Sequence, residues 1–267
     1  TTRQLARMRG GSKLNTRTEL QPGDILQDRY RIVGMLGVGG FSSVYQARDM
    51  RFPDVTKLCA IKEMMISTSE PQLRQLAVKS FEREASLLAM LRHAAIPDVT
   101  DYFTESNRSY LVMELIRDKD LQDLLDEQLE PVTPDEALDW ALQLCDALGY
   151  LHQQTPQPIV FRDLKPSNLM LDHERNIRLI DFGIAKSFEG GRKGTMIGTE
   201  GYSPPEQYRG EATPAGDVYA FGATFHHLLT GQDPRLEAPF TFSERPIREV
   251  NTAVSPGLES LIMRCLS

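Results

Sequence analysis

The chain has 267 residues, of which 40% are hydrophobic and 25% are charged, a composition that is typical of a globular protein of one or two domains. Its net charge of −7 argues against a general nucleic-acid binder, and no apolar run is long enough to form a membrane span. The cysteines Cys59, Cys145 and Cys265 form neither a zinc spacing nor a disulfide framework, which favours a reducing compartment and predicts a cytoplasmic location, with any membrane tether supplied by flanking segments.

The first segment, residues 1–23, is basic, and it has no acidic residue before Glu19. We expect a flexible, solvated leader, because chain ends of this kind are often poorly ordered. A basic arm that binds anionic lipid or an acidic partner is the alternative interpretation.

A glycine-rich hairpin follows a predicted strand at residues 30–33. Gly37, Gly39 and Gly40 lie in this hairpin, between Leu36 and Val44. Glycines lack a Cβ, so the hairpin backbone could approach phosphate groups closely. An ordinary turn is the alternative, since a single glycine-rich hairpin is weak evidence for a phosphate site.

A single lysine, Lys62, ends the apolar run 58–62. A buried cation is costly unless it is paired, so we expect either an edge lysine in solvent or a phosphate-binding cation held by a carboxylate. Glu84 can supply that carboxylate, because it lies on the apolar face of a predicted helix over residues 71–91. The apolar residues at helical spacing in this segment are Leu73, Leu76, Phe81, Leu88 and Leu91.

Two more strands are predicted at residues 99–103 and 109–113. The charged stretch 117–120 that follows is the best candidate for a boundary between two lobes. A capping box with proline at the first helical position then predicts a helix from Thr133 to about His152. Its predicted buried side contains Leu138, Leu142, Cys145 and Leu148 or Leu151.

The polar loop within residues 159–171 carries the strongest chemical signal. Asp163 and Asn168 are five positions apart with Lys165 between them, a spacing that suits phosphoryl transfer. The carboxylate would accept a hydroxyl proton, the lysine would steady the phosphoryl group, and the amide oxygen would hold a metal ion. A solvated turn is the alternative for this loop taken alone.

A second candidate metal ligand, Asp181, ends a short predicted strand at residues 177–180. The loop after it is rich in glycine and cations, which predicts mobility until a partner orders it. A strongly apolar helix then begins near Asp217, and one more helix is predicted from Pro256 to the end of the chain.

Taken in this order, the motifs resemble those of the protein kinases, specifically the eukaryotic-like serine/threonine kinases of bacteria, over residues 24–267. The resemblance implies an α+β, bilobal fold. A small antiparallel lobe of five strands and one key helix would span about 24–114, and a larger, mainly helical lobe would span about 117–267. We expect this lobe to be truncated before the end of the fold, and the chain to be part of a longer protein.

The resemblance also implies a nucleotide site for ATP, with Mg²⁺ as the metal and Mn²⁺ as a substitute. The implied nucleotide-binding residues are Leu36, Gly37, Val38, Gly39, Gly40, Val44, Ala60, Lys62, Glu84, Met113, Glu114, Ile116, Asp120, Asn168, Met170 and Asp181. Lys62 would pair with Glu84, the backbone of Glu114 and Ile116 would bond to adenine, and Asp120 would contact the ribose.

For catalysis, the resemblance implies that Asp163 is the base and that Lys165 contacts the γ-phosphate. Asn168 and Asp181 would be the metal ligands. A second group is implied to be regulatory: Arg162, which would pair with a phosphorylated loop, Thr195, the favoured phosphate acceptor with Ser187 and Thr199 as competitors, and Thr199, which would also shape the acceptor pocket.

The implied function is transfer of the γ-phosphoryl group of ATP to serine or threonine hydroxyls of proteins, including the chain's own activation loop. Partners would be such proteins, with no nucleic acid, and a homodimer for phosphorylation in trans. Ser42 replaces the usual third glycine and Phe161 the usual histidine before Arg162. Asp217 could still accept hydrogen bonds from the backbone of the loop within residues 159–171. A pseudokinase or ATP-binding scaffold, and a small-molecule kinase of related fold, are the alternatives.

Overall fold

The structure is a computed structural model that describes residues 19–38, 42–64, 71–106, 108–128, 130–182 and 198–267. Its first half is dominated by a six-stranded sheet in the order β1-β2-β3-β4-β6-β5, in which neighbours are antiparallel. The strands are β1 (Ile25–Leu26), β2 (Tyr30–Val38), β3 (Ser42–Asp49), β4 (Lys57–Met64), β5 (Val99–Glu105) and β6 (Arg108–Met113). The resemblance implied five strands; the sixth is the two-residue β1, which pairs with the start of β2.

The two faces of the sheet have different neighbours. Tyr45 and Ala47 alternate along β3 with less buried residues and pack into a small apolar core with Tyr30 and Ile61. On the other face of the sheet, Val44 of β3 is paired with Lys62 of β4, and Ala60 of β4 is paired with Met113 of β6. On this face Lys62 therefore lies near the apolar residues Val44, Ala60 and Met113.

Helices make up most of the remainder. They are α1 (Pro71–Met90), α2 (Leu121–Glu127), α3 (Pro134–His152), α4 (Pro214–Thr230), α5 (Ile247–Val250) and α6 (Pro256–Cys265), and a hairpin of β7 (Leu169–Leu171) and β8 (Ile177–Leu179) lies between α3 and α4. Thr133, Thr213 and Ser255 each cap a helix whose first residue is proline. Each cap oxygen accepts a backbone N–H that the first turn leaves unpaired, which fixes where these helices begin.

The predicted buried side of α3 was correct for Leu148 and Leu151 but wrong for Leu138, Leu142 and Cys145. Leu138 and Leu142 have 45% and 63% of their surface exposed, and Cys145 is exposed as well. The buried stripe consists of Ala137, Trp140, Leu144, Ala147, Leu148 and Leu151. Trp140 and the alanines have helical spacing too, and an estimate that gives most weight to leucine selects the wrong stripe.

The α1 stripe was only partly correct. Phe81, Leu88 and Leu91 are buried in the large apolar core, whereas Leu76 is 53% exposed and the Leu73 side chain lies outside the described part of the chain. The α+β arrangement agrees with the prediction. The sheet ends at Met113 and α2 begins at Leu121, and the lobe boundary between them stays a prediction. No helix within the described ranges is long and apolar enough to cross a membrane.

Candidate active site

A cavity of about 660 Å³ lies against the sheet face that carries Val44, Ala60 and Lys62, and it extends to the β7–β8 hairpin. Most of the predicted nucleotide-binding residues line it: Leu36, Gly37, Val44, Ala60, Lys62, Met113, Glu114, Ile116, Asp120, Met170 and Asp181. Leu88, Val99 and Phe182 line it as well. Residues that are far apart in sequence therefore enclose one site large enough for a nucleotide.

Some predicted nucleotide-binding residues do not line this cavity. Val38 is 58% exposed and is not part of its wall. Gly39 and Gly40 lie outside the described residues, and so does the side chain of Glu84. Asn168 does not line the cavity either, and the roles proposed for these five residues stay predictions.

Lys62 has a carboxylate partner that the sequence did not suggest. Its Nζ lies 2.5 Å from Oδ1 of Asp181, and only 9% of the lysine side chain is exposed. A cation this deeply buried needs such a partner. Asp181 has a φ of 57°, a left-handed conformation that side chains other than glycine seldom adopt. The backbone thus holds this carboxylate in the cavity wall, next to the lysine.

Asp120 lines the cavity and also has a structural role. Its carboxylate caps α2 by accepting the backbone N–H groups of Gln122 and Asp123, at 2.9 and 2.8 Å. Burial raises the pKa of Asp120 above its usual value. One of its oxygens accepts both capping bonds, and no hydrogen bond from the described residues engages the other oxygen, as its predicted contact with a ribose requires.

The loop within residues 159–171, which we call the catalytic loop, contributes three polar side chains to one cluster. Thr199 contributes the fourth. Thr199 Oγ1 donates to Oδ1 of the buried Asp163 at 2.7 Å, and Asn168 Nδ2 donates to Oδ2 at 2.9 Å. Lys165 Nζ lies 3.3 Å from Oδ2 and donates to Thr199 Oγ1 at 3.0 Å. These contacts fix the orientation of the Asp163 carboxylate.

The amide of Asn168 is oriented by its neighbours. Its Nδ2 also donates to the carbonyl oxygen of Asp163 at 2.6 Å, which turns Oδ1 away from that residue. The backbone carbonyl of Asn168 accepts the N–H of Ile180 at 3.0 Å, so the loop is tied to the residue before Asp181. An amide oxygen and a carboxylate are ligands that Mg²⁺ accepts, with waters and phosphate oxygens completing its shell. The described residues contain no cluster of three or more acidic, histidine or cysteine side chains that could hold a metal by itself.

Asp217 supports the catalytic loop from below, as the sequence predicted. This buried carboxylate accepts the backbone N–H groups of Phe161 and Arg162, both at 2.8 Å. His152 lies 2.8 Å from the same carboxylate, a contact that sequence reasoning missed. Arg162 has a φ of 72°, so the two bonds hold a turn that the backbone would otherwise disfavour.

Phe161 connects the catalytic loop to the segment that carries Asp181. Its ring packs edge-on against Phe182, with the centroids 5.0 Å apart. Both rings belong to the apolar core that contains Leu88 and that Val99 packs against. The aromatic residue at position 161 therefore has a packing role. Among the predicted regulatory residues, Thr199 is in contact with Asp163, whereas Thr195 and Ser187 lie outside the described residues.

Comparisons with known proteins agree with this geometry. The sequence profile of the family described as "Protein kinase domain" matches residues 30–266. Serine/threonine-protein kinase B of Synechocystis sp. is 31% identical over 223 residues, which cover 79% of this chain and 38% of that protein. The probable serine/threonine-protein kinase PknB of Lactococcus lactis is 35% identical over 219 residues, covering 80% of this chain and 34% of the relative.

Solved structures share the fold. The structure described as "PpkA-294 apo form" has a TM-score of 0.79 at 24% identity and covers 93% of each chain. The PknI kinase domain of Mycobacterium tuberculosis has a TM-score of 0.69 at 24% identity, covering 93% of this chain and 92% of that chain. This chain spans only 38% and 34% of the two curated relatives. The family match over residues 30–266 shows that the chain belongs to the protein kinase domain family, and the fold and the arrangement of the site agree with it.

Proposed function

We propose that this domain transfers the γ-phosphoryl group of ATP to serine or threonine hydroxyls of proteins. One observation carries the proposal. Asp163 is buried among Thr199, Lys165 and Asn168, and the backbone of Asn168 is bonded to Ile180, which lines the cavity together with Lys62 and Asp181. This set contains a proton acceptor, two cations for phosphate oxygens and two metal ligands, as phosphoryl transfer requires.

In the proposed reaction, Asp163 accepts the proton of the substrate hydroxyl. The hydroxyl oxygen forms a bond to the γ-phosphorus while the bond from that phosphorus to the bridging oxygen of ATP breaks, which releases ADP. Lys62 and Lys165 neutralise charge on the phosphate oxygens. Bound Mg²⁺, or Mn²⁺ in its place, supplies further neutralising charge when held by Asn168 and Asp181.

Partners and regulation follow from the same proposal. Protein substrates include a second copy of this chain, which could be phosphorylated in trans. Thr195 is the proposed acceptor in that reaction, and Arg162 is the proposed partner of its phosphate. The three cysteines are free thiols, which suits the reducing cytoplasm that we propose as the location.

The test is a radiolabel transfer assay with γ-labelled ATP, on the chain itself and on a generic basic protein. The Asp163→Asn variant is expected to lose at least about a hundredfold in transfer rate, because it lacks the proton acceptor. It should still bind ATP. Asp139→Asn, which removes an exposed carboxylate on α3, is the matched control and should transfer at the parent rate.

Three outcomes of this assay separate the alternatives. Transfer at the parent rate by Asp163→Asn would remove Asp163 from its role. Binding of ATP without transfer by the parent would favour a pseudokinase, and transfer to small molecules alone would favour a small-molecule kinase.

A further inference from the structure

An ion pair fixes the segment that joins the sheet to the helical part. Glu114 and Ile116 belong to this segment and line the cavity. The side chain of Glu114 meets Arg178 of β8, whose Nη2 lies 2.5 Å from Oε2 of the glutamate. Arg178 lies opposite the cavity-lining Met170 in the β7–β8 pairing. The pair therefore joins the connecting segment to a strand at the opposite wall of the cavity.

The main chain of Glu114 is held at the same point. Its N–H donates to the carbonyl oxygen of Asp98 at 2.9 Å, and the N–H of Asp98 lies 3.5 Å from Oε2 of Glu114. Within the described ranges, no hydrogen bond engages the carbonyl oxygen of Glu114 or the N–H of Ile116. These two groups are an acceptor and a donor, and both belong to residues that line the cavity.

Arg178 is itself firmly anchored. The backbone N–H of Ile177 donates to Gln143 Oε1 at 2.8 Å, and the N–H of Leu179 donates to the carbonyl of Ala95 at 2.7 Å. Both neighbours of Arg178 are thus bonded to other elements. The guanidinium is held by a fixed strand, so it can impose a position on Glu114.

The ion pair between Arg178 and Glu114 should contribute little to the stability of the fold. The Arg178 side chain is 13% exposed, and its Nε is buried without a hydrogen-bond partner among the described residues. A buried N–H without a partner opposes folding, which offsets what the ion pair contributes. Replacing the arginine by an apolar side chain of similar length should therefore change stability little.

We propose that Arg178 is a positioning residue for adenine recognition. By holding the Glu114 side chain, it fixes the carbonyl of Glu114 where that oxygen meets the 6-amino group at the edge of the base. The inference rests on the proposed function, because it requires ATP in the cavity. Loss of Arg178 should weaken the hydrogen bond to the 6-amino group of adenine and leave the phosphate contacts intact.

The experiment measures Mg²⁺–nucleotide binding by calorimetry in an Asp163→Asn background, where transfer is switched off. ATP is compared with purine riboside triphosphate, which lacks the 6-amino group. Arg178→Met is expected to lower ATP affinity by about fivefold to tenfold, the value of one hydrogen bond, and to change affinity for the analogue by less than about twofold. The thermal midpoint should stay within about 2 °C of the background protein.

Four further variants sharpen the test. Glu114→Gln should show the same loss of ATP affinity, and the double variant with Arg178→Met should lose no more, because both remove one interaction. Arg178→Lys should restore part of the affinity. Arg248→Met is the matched control, since this arginine of α5 does not line the cavity and bonds the carbonyl of Val254; it should bind both nucleotides as the background protein does.

The possible failures are distinguishable. Unchanged ATP affinity in Arg178→Met, or an equal loss for both nucleotides, would overturn the positioning role. A fall in thermal midpoint that accounts for the lost affinity would do the same by showing a merely structural contact. If the background protein bound neither nucleotide, the proposed function itself would fail.

Discussion

Two buried carboxylates, Asp49 in the sheet and Asp163 in the catalytic loop, differ in the kind of partner that surrounds them. Asp49 accepts from Nε and Nη2 of Arg29 at 3.0 and 2.8 Å and from Arg51 at 3.2 Å. Arg29 also reaches Asp101 at 2.6 Å. Asp163 instead has a hydroxyl, an amide and one ammonium around it.

We interpret Asp49 as a charge that stabilises the fold and Asp163, under the proposed function, as a charge that takes part in the reaction. Hydrogen bonds from Arg29 hold the pKa of Asp49 well below its usual range, and none of these partners lines the cavity. A guanidinium cannot give up its charge, so this cluster has nothing to exchange with a substrate. The proposed function requires the partners of Asp163 to rearrange when a hydroxyl arrives, and the loop is bonded to cavity-lining Ile180.

The largest effect on stability should come from a third buried carboxylate, Asp217, which is structural although it lies under the catalytic loop. Asp217→Ala leaves the N–H groups of Phe161 and Arg162 without their acceptor. We expect a loss of about 3–5 kcal/mol in the free energy of unfolding, together with a fall in transfer rate. Urea unfolding and the transfer assay measure the two. A stable variant with full activity would show that the loop does not depend on this carboxylate.

The next effect should separate stability from chemistry. Arg29→Met leaves Asp49 buried with only the exposed Arg51 as its cationic partner. We expect a loss of about 3 kcal/mol in the free energy of unfolding, because a buried charge loses its main partner. The transfer rate per folded molecule should be unchanged. A lowered rate at full stability would contradict the distinction between the two clusters.

The smallest effect concerns a buried histidine in α4. Burial lowers the pKa of His227 from 6.5 to about 4, and its Nδ1 lies 2.6 Å from the hydroxyl of Tyr202. Burial also raises the pKa of that tyrosine, so Tyr202 stays protonated and donates to the neutral ring. Asp233 and Arg235 influence the same ring with opposite signs.

The sign of the pH dependence follows from the lowered pKa. The unfolded chain takes up a proton near pH 6.5 and the folded chain only near pH 4, so stability falls as the pH drops between these values. We expect His227 to account for about 2 kcal/mol of lost stability between pH 7 and pH 5. Denaturant titrations at pH 7 and pH 5 should show that the parent loses about 2 kcal/mol more stability over this interval than His227→Gln does. Parallel curves would mean that His227 is not the group that titrates.

Much of the site could be predicted because its chemistry lies in short motifs. Asp163, Lys165 and Asn168 share one loop, and their spacing alone constrains their geometry. Asp181 follows a recognisable strand, and the support from Asp217 could be predicted through the family resemblance. These predictions needed no knowledge of how distant segments pack.

The missed features depend on contacts between distant segments. Lys62 and its partner Asp181 are 119 positions apart in the sequence. Their assignment to the same nucleotide site was the only indication that they could be in contact. His152 and the Arg178–Glu114 pair have no local pattern. The buried side of α3 was predicted only in part. Ala137, Trp140, Leu144 and Ala147 compete with Leu138 and Leu142 for the buried face, and only packing against other helices selects one face.

The central claim is that Lys62, Asp163, Asn168 and Asp181 surround one nucleotide with its metal. Its most direct test is anomalous scattering from crystals grown with Mn²⁺ and a nonhydrolysable ATP analogue. We expect a manganese peak in contact with Asn168 Oδ1 and the Asp181 carboxylate, with Lys62 on the phosphate oxygens. A nucleotide bound with its metal away from both residues, or an empty cavity at saturating analogue, would contradict the account.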